Sequence, residues 1–198
     1  MLKVFIDDYN AAERVKDELS RLLFTPPVFL CIGSDRVTGD SLGPIIGQLL
    51  QTSAPVYGDL SQPVTALNLV SVERQIRLNH PDRQIVAVDS AVGAPSDIGS
   101  IRVFAGGLKA GEAMGKNLPE VGDISVTATV CAKSAKALSC VRLGLVYNLA
   151  RRISDALKSC CREKYSAELR IRNSFGDVYE ILARRAFFTL HAHFTADT

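Results

Sequence analysis

At 198 residues, 47% of them apolar and 22% charged, the chain is long enough for one domain with a substantial core and too apolar to be disordered. A net charge of +2 gives no reason to expect a nucleic-acid partner, and no apolar run approaches the ~20 residues of a membrane-spanning helix. The opening residues MLKVFIDDYN turn acidic too early for a secretory signal, so a cytoplasmic location is expected.

Taken in chain order, residues 8–23 carry Val15, Leu19, Leu22 and Leu23 at helical spacing, and Thr25-Pro26-Pro27 ends that helix. Residues 28–32 are an apolar strand that stops at Gly33. A polar loop with Asp35 and Asp40 follows. Leu42, Ile45, Ile46, Leu49 and Leu50 then mark one face of a helix over 41–52, with Pro44 tolerated in its first turn. A short strand is expected near 55–60 and a helix over 70–79, closed by His80-Pro81. Residues 84–88 form a second almost wholly apolar strand, stopped by Asp89, as strands buried on both faces of a parallel sheet read. Residues 99–105 alternate better and suit a position nearer an edge. Residues 106–122 hold five glycines together with Lys109, Lys116 and Pro119 and read as a long functional loop. Residues 124–130 are another strand. Ser134 then caps a long helix whose apolar stripe is Ala135, Leu138, Val141, Leu145, Val146, Leu149, Ile153 and Leu157. Further on, a strand over 168–172 and a helix over 177–190 are expected.

Strands alternating with helices argue for a three-layer α/β/α sandwich with a central, mostly parallel five-stranded sheet, its interior strands being 28–32, 84–88 and 124–130. The pattern supports one α/β domain over 1–165, with its core in 27–160, and a C-terminal extension over 166–198.

Asp40 and Asp89 are the leading chemical pair. Each follows an apolar strand, so a parallel sheet brings both to its carboxyl rim, where α/β folds gather ligands. Facing carboxylates can share a proton, activate water or hold a metal; Asp40 is equally a reasonable helix cap. A phosphate cradle is disfavoured, because the loop lacks both glycine-rich nucleotide fingerprints and its two acids repel anions. His80, His191 and His193 make no persuasive metal set. The five cysteines, Cys31, Cys131, Cys140, Cys160 and Cys161, form no CxxC pair and read as buried or incidental thiols. Lys116, a loop lysine, can reach an acidic or carbonyl group.

The segments CIGSDRVTGDSLGP, Pro55-Val56-Tyr57-Gly58, Ala66-Leu67-Asn68-Leu69, AVDSAVG at 87–93 and KNLPEVGDISVTATV at 116–130 together resemble the YyaC-type sporulation proteins, held to be spore proteases of endospore-forming bacteria. The match in order and spacing runs from about residue 27 to 155. That group is similar in turn to the germination protease and to the hydrogenase maturation endopeptidases. The resemblance implies a mostly parallel five-stranded sheet between helices, with the family's two acids falling on Asp40 and Asp89. In the maturation enzymes a histidine joins those acids in gripping a nickel ion of the substrate. Residues 124–132 carry no such histidine, which argues against a nickel-reading enzyme.

The reading carried forward is a sporulation- or germination-associated endopeptidase in which Asp40 and Asp89 polarise water, one as base and one as acid. Asp35, Lys116 and Asp123 are expected to contact a protein or peptide substrate. No cofactor is expected. Metal-dependent hydrolysis through the same acids ranks below a non-catalytic protein-binding module on the same fold. Oligomeric state is not legible in the sequence.

Overall fold

The computed structural model describes residues 1–50, 54–110, 119–132 and 135–166. The chain divides into two units, Met1–Arg162 and Glu163–Thr198; of the second only 163–166 are described, and they are helical. The expected strand at 168–172 and helix at 177–190 lie outside the described residues.

The first unit is a mixed α/β fold around a central, mostly parallel sheet with flanking helices. Its strands are β1 (Leu2–Phe5), β2 (Val28–Cys31), β3 (Val56–Tyr57), β4 (Ile85–Gly93), β5 (Ser100–Ala105) and, after a small two-stranded arm of β6 (Leu108–Lys109) and β7 (Glu120–Val121), β8 (Ile124–Ala132). The sheet order is β1-β5-β8-β4-β2-β3. The pairs β2–β3, β2–β4 and β4–β8 are parallel, while β5–β8 and β1–β5 are antiparallel. All four residues of β2 are buried, which explains its unbroken apolar run: an interior strand has both faces covered.

Six strands stand where five were expected. The added one is β1, in which Val4 alone is buried. A four-residue edge strand with one inward side chain is too short to declare a period of two.

The helices are α1 (Ala11–Leu22), α2 (Leu42–Leu50), α3 (Leu69–Asn79), α4 (Ala135–Ser139) and α5 over 143–162. α1 buries Ala11, Val15 and Leu19 on one stripe, as its spacing requires. α2 follows a turn of 3-10 helix over Thr38–Ser41 and carries Pro44 in its first turn. The single long helix expected from residue 134 to 157 is instead broken at Cys140–Arg142. The break resets the helical phase. Val146, Leu149, Ile153 and Leu157 are buried, but Leu145 is only half-buried. Ser134, expected to cap that helix, lies outside the described residues.

The expected loop at 106–122 is partly ordered by pairing. Leu108 faces Val121 and Lys109 faces Glu120 across the arm. Leu108, Ala110 and Val121 pack into a core with Ile85 and Ala87 of β4, Val28 and Leu30 of β2, and Leu69 and Ile76 of α3. The arm and α3 therefore cover one face of the sheet's centre. Side chains two apart along a strand share a face, so Ile85 and Ala87 beneath that cover are followed by Asp89. Residues 111–118, including Lys116, lie outside the described residues.

Candidate active site

Asp40 is placed by the backbone of its own loop. β2 runs out at Cys31, Ile32 bridges to Val64, and Gly33 turns the chain at φ +142°. A Cβ on Gly33 would lie 2.0 Å from the carbonyl oxygen of Asp40, so this approach admits only glycine. The Ser34 amide donates to that same carbonyl (3.1 Å), and the Asp40 amide donates to Val37 (2.9 Å). On the far side of the turn, a Cβ on Gly43 would sit 2.0 Å from the Ile32 carbonyl. Strand end and helix start are thus pressed together, and Asp40 is held between them with no freedom to swing on a long loop.

Asp89 is placed by the sheet. In the parallel ladder Cys31 of β2 pairs with Val88, so β4 outruns β2 at Asp89. The strand continues to Gly93, with a bulge at Ala91/Val92. Bulges of this kind re-aim side chains beside functional sites. Asp89 is a strand residue, where the sequence suggested a strand stop. Its side chain is buried (7% exposed), and one carboxylate oxygen accepts the Ser90 amide at 2.7 Å.

Both acids open into one cleft of about 1990 Å³, with Asp35, Thr127, Arg102 and Lys109 also on its walls. Burial raises the Asp40 carboxyl above its ordinary value, and the Ser34 backbone pulls weakly the other way. Asp89 is raised well above the carboxylate range, first by burial and then by the charge of Asp40. That second cause puts the Asp40 charge within electrostatic reach of Asp89. Both shifts favour the neutral carboxyl, more strongly at Asp89 than at Asp40. Such a pair can take a proton from water at one oxygen and return one at another.

The remaining expected residues separate. Asp35 is exposed on the cleft wall. Asp123 is not brought to the acids. It precedes β8, at the end of the sheet away from Asp89, where it grips Arg77 through two hydrogen bonds of 2.8 Å and accepts the Ile85 amide at 2.7 Å. Lys116 lies outside the described residues, as do His191 and His193. His80 closes α3 and meets the Tyr57 hydroxyl at 3.1 Å, well removed from a catalytic part. Cys31, Cys131, Cys160 and Cys161 are buried and Cys140 is exposed, and none of the five is in a disulfide among the described residues. No group of three or more His, Cys, Asp and Glu converges among the described residues. The sequence reading missed Arg102 and Asp97, both on the cleft. The available signal was a single arginine interrupting the apolar strand Ile101-Arg102-Val103.

Three comparisons bear on this geometry. Residues 3–156 match the family described as a protein of unknown function, DUF1256. The chain is 36% identical over 172 residues to the uncharacterized protein YyaC of Bacillus subtilis strain 168, an alignment covering 81% of this chain and 84% of that one. The fold is similar to the crystal structure of the [NiFe] hydrogenase maturation protease HycI of Thermococcus kodakarensis, with a TM-score of 0.53 at 18% identity over 73% of this chain and 99% of that one.

Proposed function

This chain belongs to the DUF1256 family, and we propose that it is an endopeptidase that hydrolyses peptide bonds with the pair Asp40 and Asp89. The observation that carries this reading is that a buried Asp89 and a half-buried Asp40 line one broad cleft. A peptide carbonyl lying over the pair would meet the neutral Asp89 as hydrogen-bond donor. The Asp40 carboxylate would take a proton from the attacking water, and Asp89 would return one to the leaving nitrogen. Burial keeps the two carboxyls from ionising together, which is the condition for one to act as acid while the other acts as base.

The likeness to a maturation protease supports a peptidase fold, and a role in sporulating or germinating cells rests on the resemblance of the motifs at 31–44, 87–93 and 116–130 to sporulation proteins. No helix among the described residues is long and apolar enough to cross a membrane. Leu60 and the 90%-exposed Leu67 also line the cleft, so the same surface would suit holding a polypeptide without cutting it. Cleavage separates the two readings. Purified protein incubated with extract from sporulating cells should generate new peptide termini, and the Asp40→Asn and Asp89→Asn variants should not.

A further inference from the structure

The sheet register draws one polar row across four strands. Lys3 of β1 pairs with Arg102 of β5, Arg102 with Thr127 of β8, and Thr127 with Asp89 of β4. In-register neighbours point to the same face, so this row runs along the cleft floor away from the acid pair. Its far end is cationic. The Arg102 Nη2 donates to Asp97 at 2.9 Å, and Lys3 donates to the other oxygen of the same carboxylate at 2.5 Å. Two cations share one anion, which leaves the corner with a net positive charge.

Arg102 is also under-used. A guanidinium has five N–H donors in a rigid fork suited to carboxylates. The Arg102 Nε is buried without a hydrogen-bond partner among the described residues, while about a third of the side chain (36%) is exposed on the cleft wall. Asp97 engages the fork from one side only. Arg102 and Thr127 both line the cleft.

We propose that Arg102, steadied by Asp97 and Lys3, is a specificity-determining subsite that binds a carboxylate of the peptide substrate. The inference rests on the peptidase reading and deepens it. Strands lie ~4.8 Å apart, so two strand spacings put Arg102 about 10 Å along the row from Asp89. An extended peptide advances ~3.3 Å per residue, which places the recognised carboxylate about two to three residues from the scissile bond. An Asp or Glu side chain at that position would supply it, and so would the free carboxyl terminus of a substrate cut near its end.

The test uses peptides identified from the cleavage experiment, made in three forms: an internal Glu with an amidated terminus, the same peptide with Gln, and the Gln peptide with a free carboxyl terminus. Wild type should prefer one carboxylate-bearing form over the amidated Gln form by about tenfold or more in kcat/KM, chiefly through KM, the size expected of a charged hydrogen bond. The form preferred identifies the carboxylate's source. In Arg102→Gln that ratio should fall to about one, with a melting temperature close to wild type. Arg102→Lys should restore part of it. An active wild type without the preference, or an Arg102→Gln variant that keeps it, would overturn the subsite and leave the peptidase standing. If wild type cuts nothing, the peptidase reading fails separately. Fluorescence anisotropy with labelled Glu and Gln versions of an arbitrary extended octapeptide then decides the subsite: Arg102-dependent preference for Glu supports it, and equal binding overturns it.

Discussion

Burial raises the carboxyls of both Asp89 and Asp40, Asp89 the further of the two, and the charge of Asp40 adds to the rise at Asp89. The asymmetry follows from position. Asp89 lies within β4, between β2 and β8, while Asp40 lies on a turn that is less completely covered. The interior carboxyl is therefore the harder of the two to ionise.

Asp89 should weaken the fold as pH rises. Its folded pKa lies above its unfolded value, so the folded state binds the extra proton. The associated stability is fully present below about pH 4, the unfolded range, and is lost as pH rises through the folded pKa. Asp89→Asn mimics the protonated form and removes that loss. Thermal melts from pH 4 to 8 should show the variant gaining on wild type as pH increases and equal to it or higher at pH 8. A variant that melts far below wild type at pH 8 would make Asp89 a structural residue.

Asp123 should matter to stability rather than to the cleft. Its carboxylate holds both Arg77 nitrogens and the first amide of β4. Asp123→Ala strands that amide and should cost about 1–3 kcal/mol in chemical denaturation. The titration of Asp89, followed by carboxyl-carbon NMR, should not move.

Leu149→Asp should unfold the protein, since Leu149 is fully buried and an unpaired buried charge costs several kcal/mol, a large share of the ~5–15 kcal/mol that holds a domain together. Leu145→Asp should be milder, because Leu145 is half-buried. Circular dichroism melts of the two variants give the comparison, and equal losses would contradict the break at Cys140–Arg142.

Most of the sheet was legible because its interior strands are unbroken apolar runs; β2 and the first half of β4 need no tertiary context to be recognised. Asp89 was legible for the same reason, since it follows such a run directly, and Asp40 because it lies in the polar loop between an apolar strand and a helix. Three features were not. β1 has one inward side chain and gains its strand character only from pairing with β5. The break before α5 is invisible to periodicity, because Val141 and Leu145 continue the apolar spacing across it. The row from Asp89 to Arg102 depends on the register of three strands distant in sequence, and no local pattern encodes a register between β4, β8 and β5.

Gly33→Ala should disturb the site without emptying the core. Its new Cβ would press on the Asp40 carbonyl, at a backbone φ that side chains rarely adopt. Displacing Asp40 should lower the raised titration of Asp89 toward the ordinary carboxylate range, and peptide cleavage should fall with it. An unchanged Asp89 titration would show that Asp40 is not held by this turn.

The most direct measurement is the cleavage rate of a defined peptide by wild type, Asp40→Asn and Asp89→Asn, each checked for a wild-type fold by its melting profile. The acid–base pair predicts that each substitution reduces kcat by about 10²-fold or more, as loss of a general acid or base does, and that the double variant is little worse than either single one. Folded Asp40→Asn and Asp89→Asn proteins that cleave as fast as wild type would contradict it.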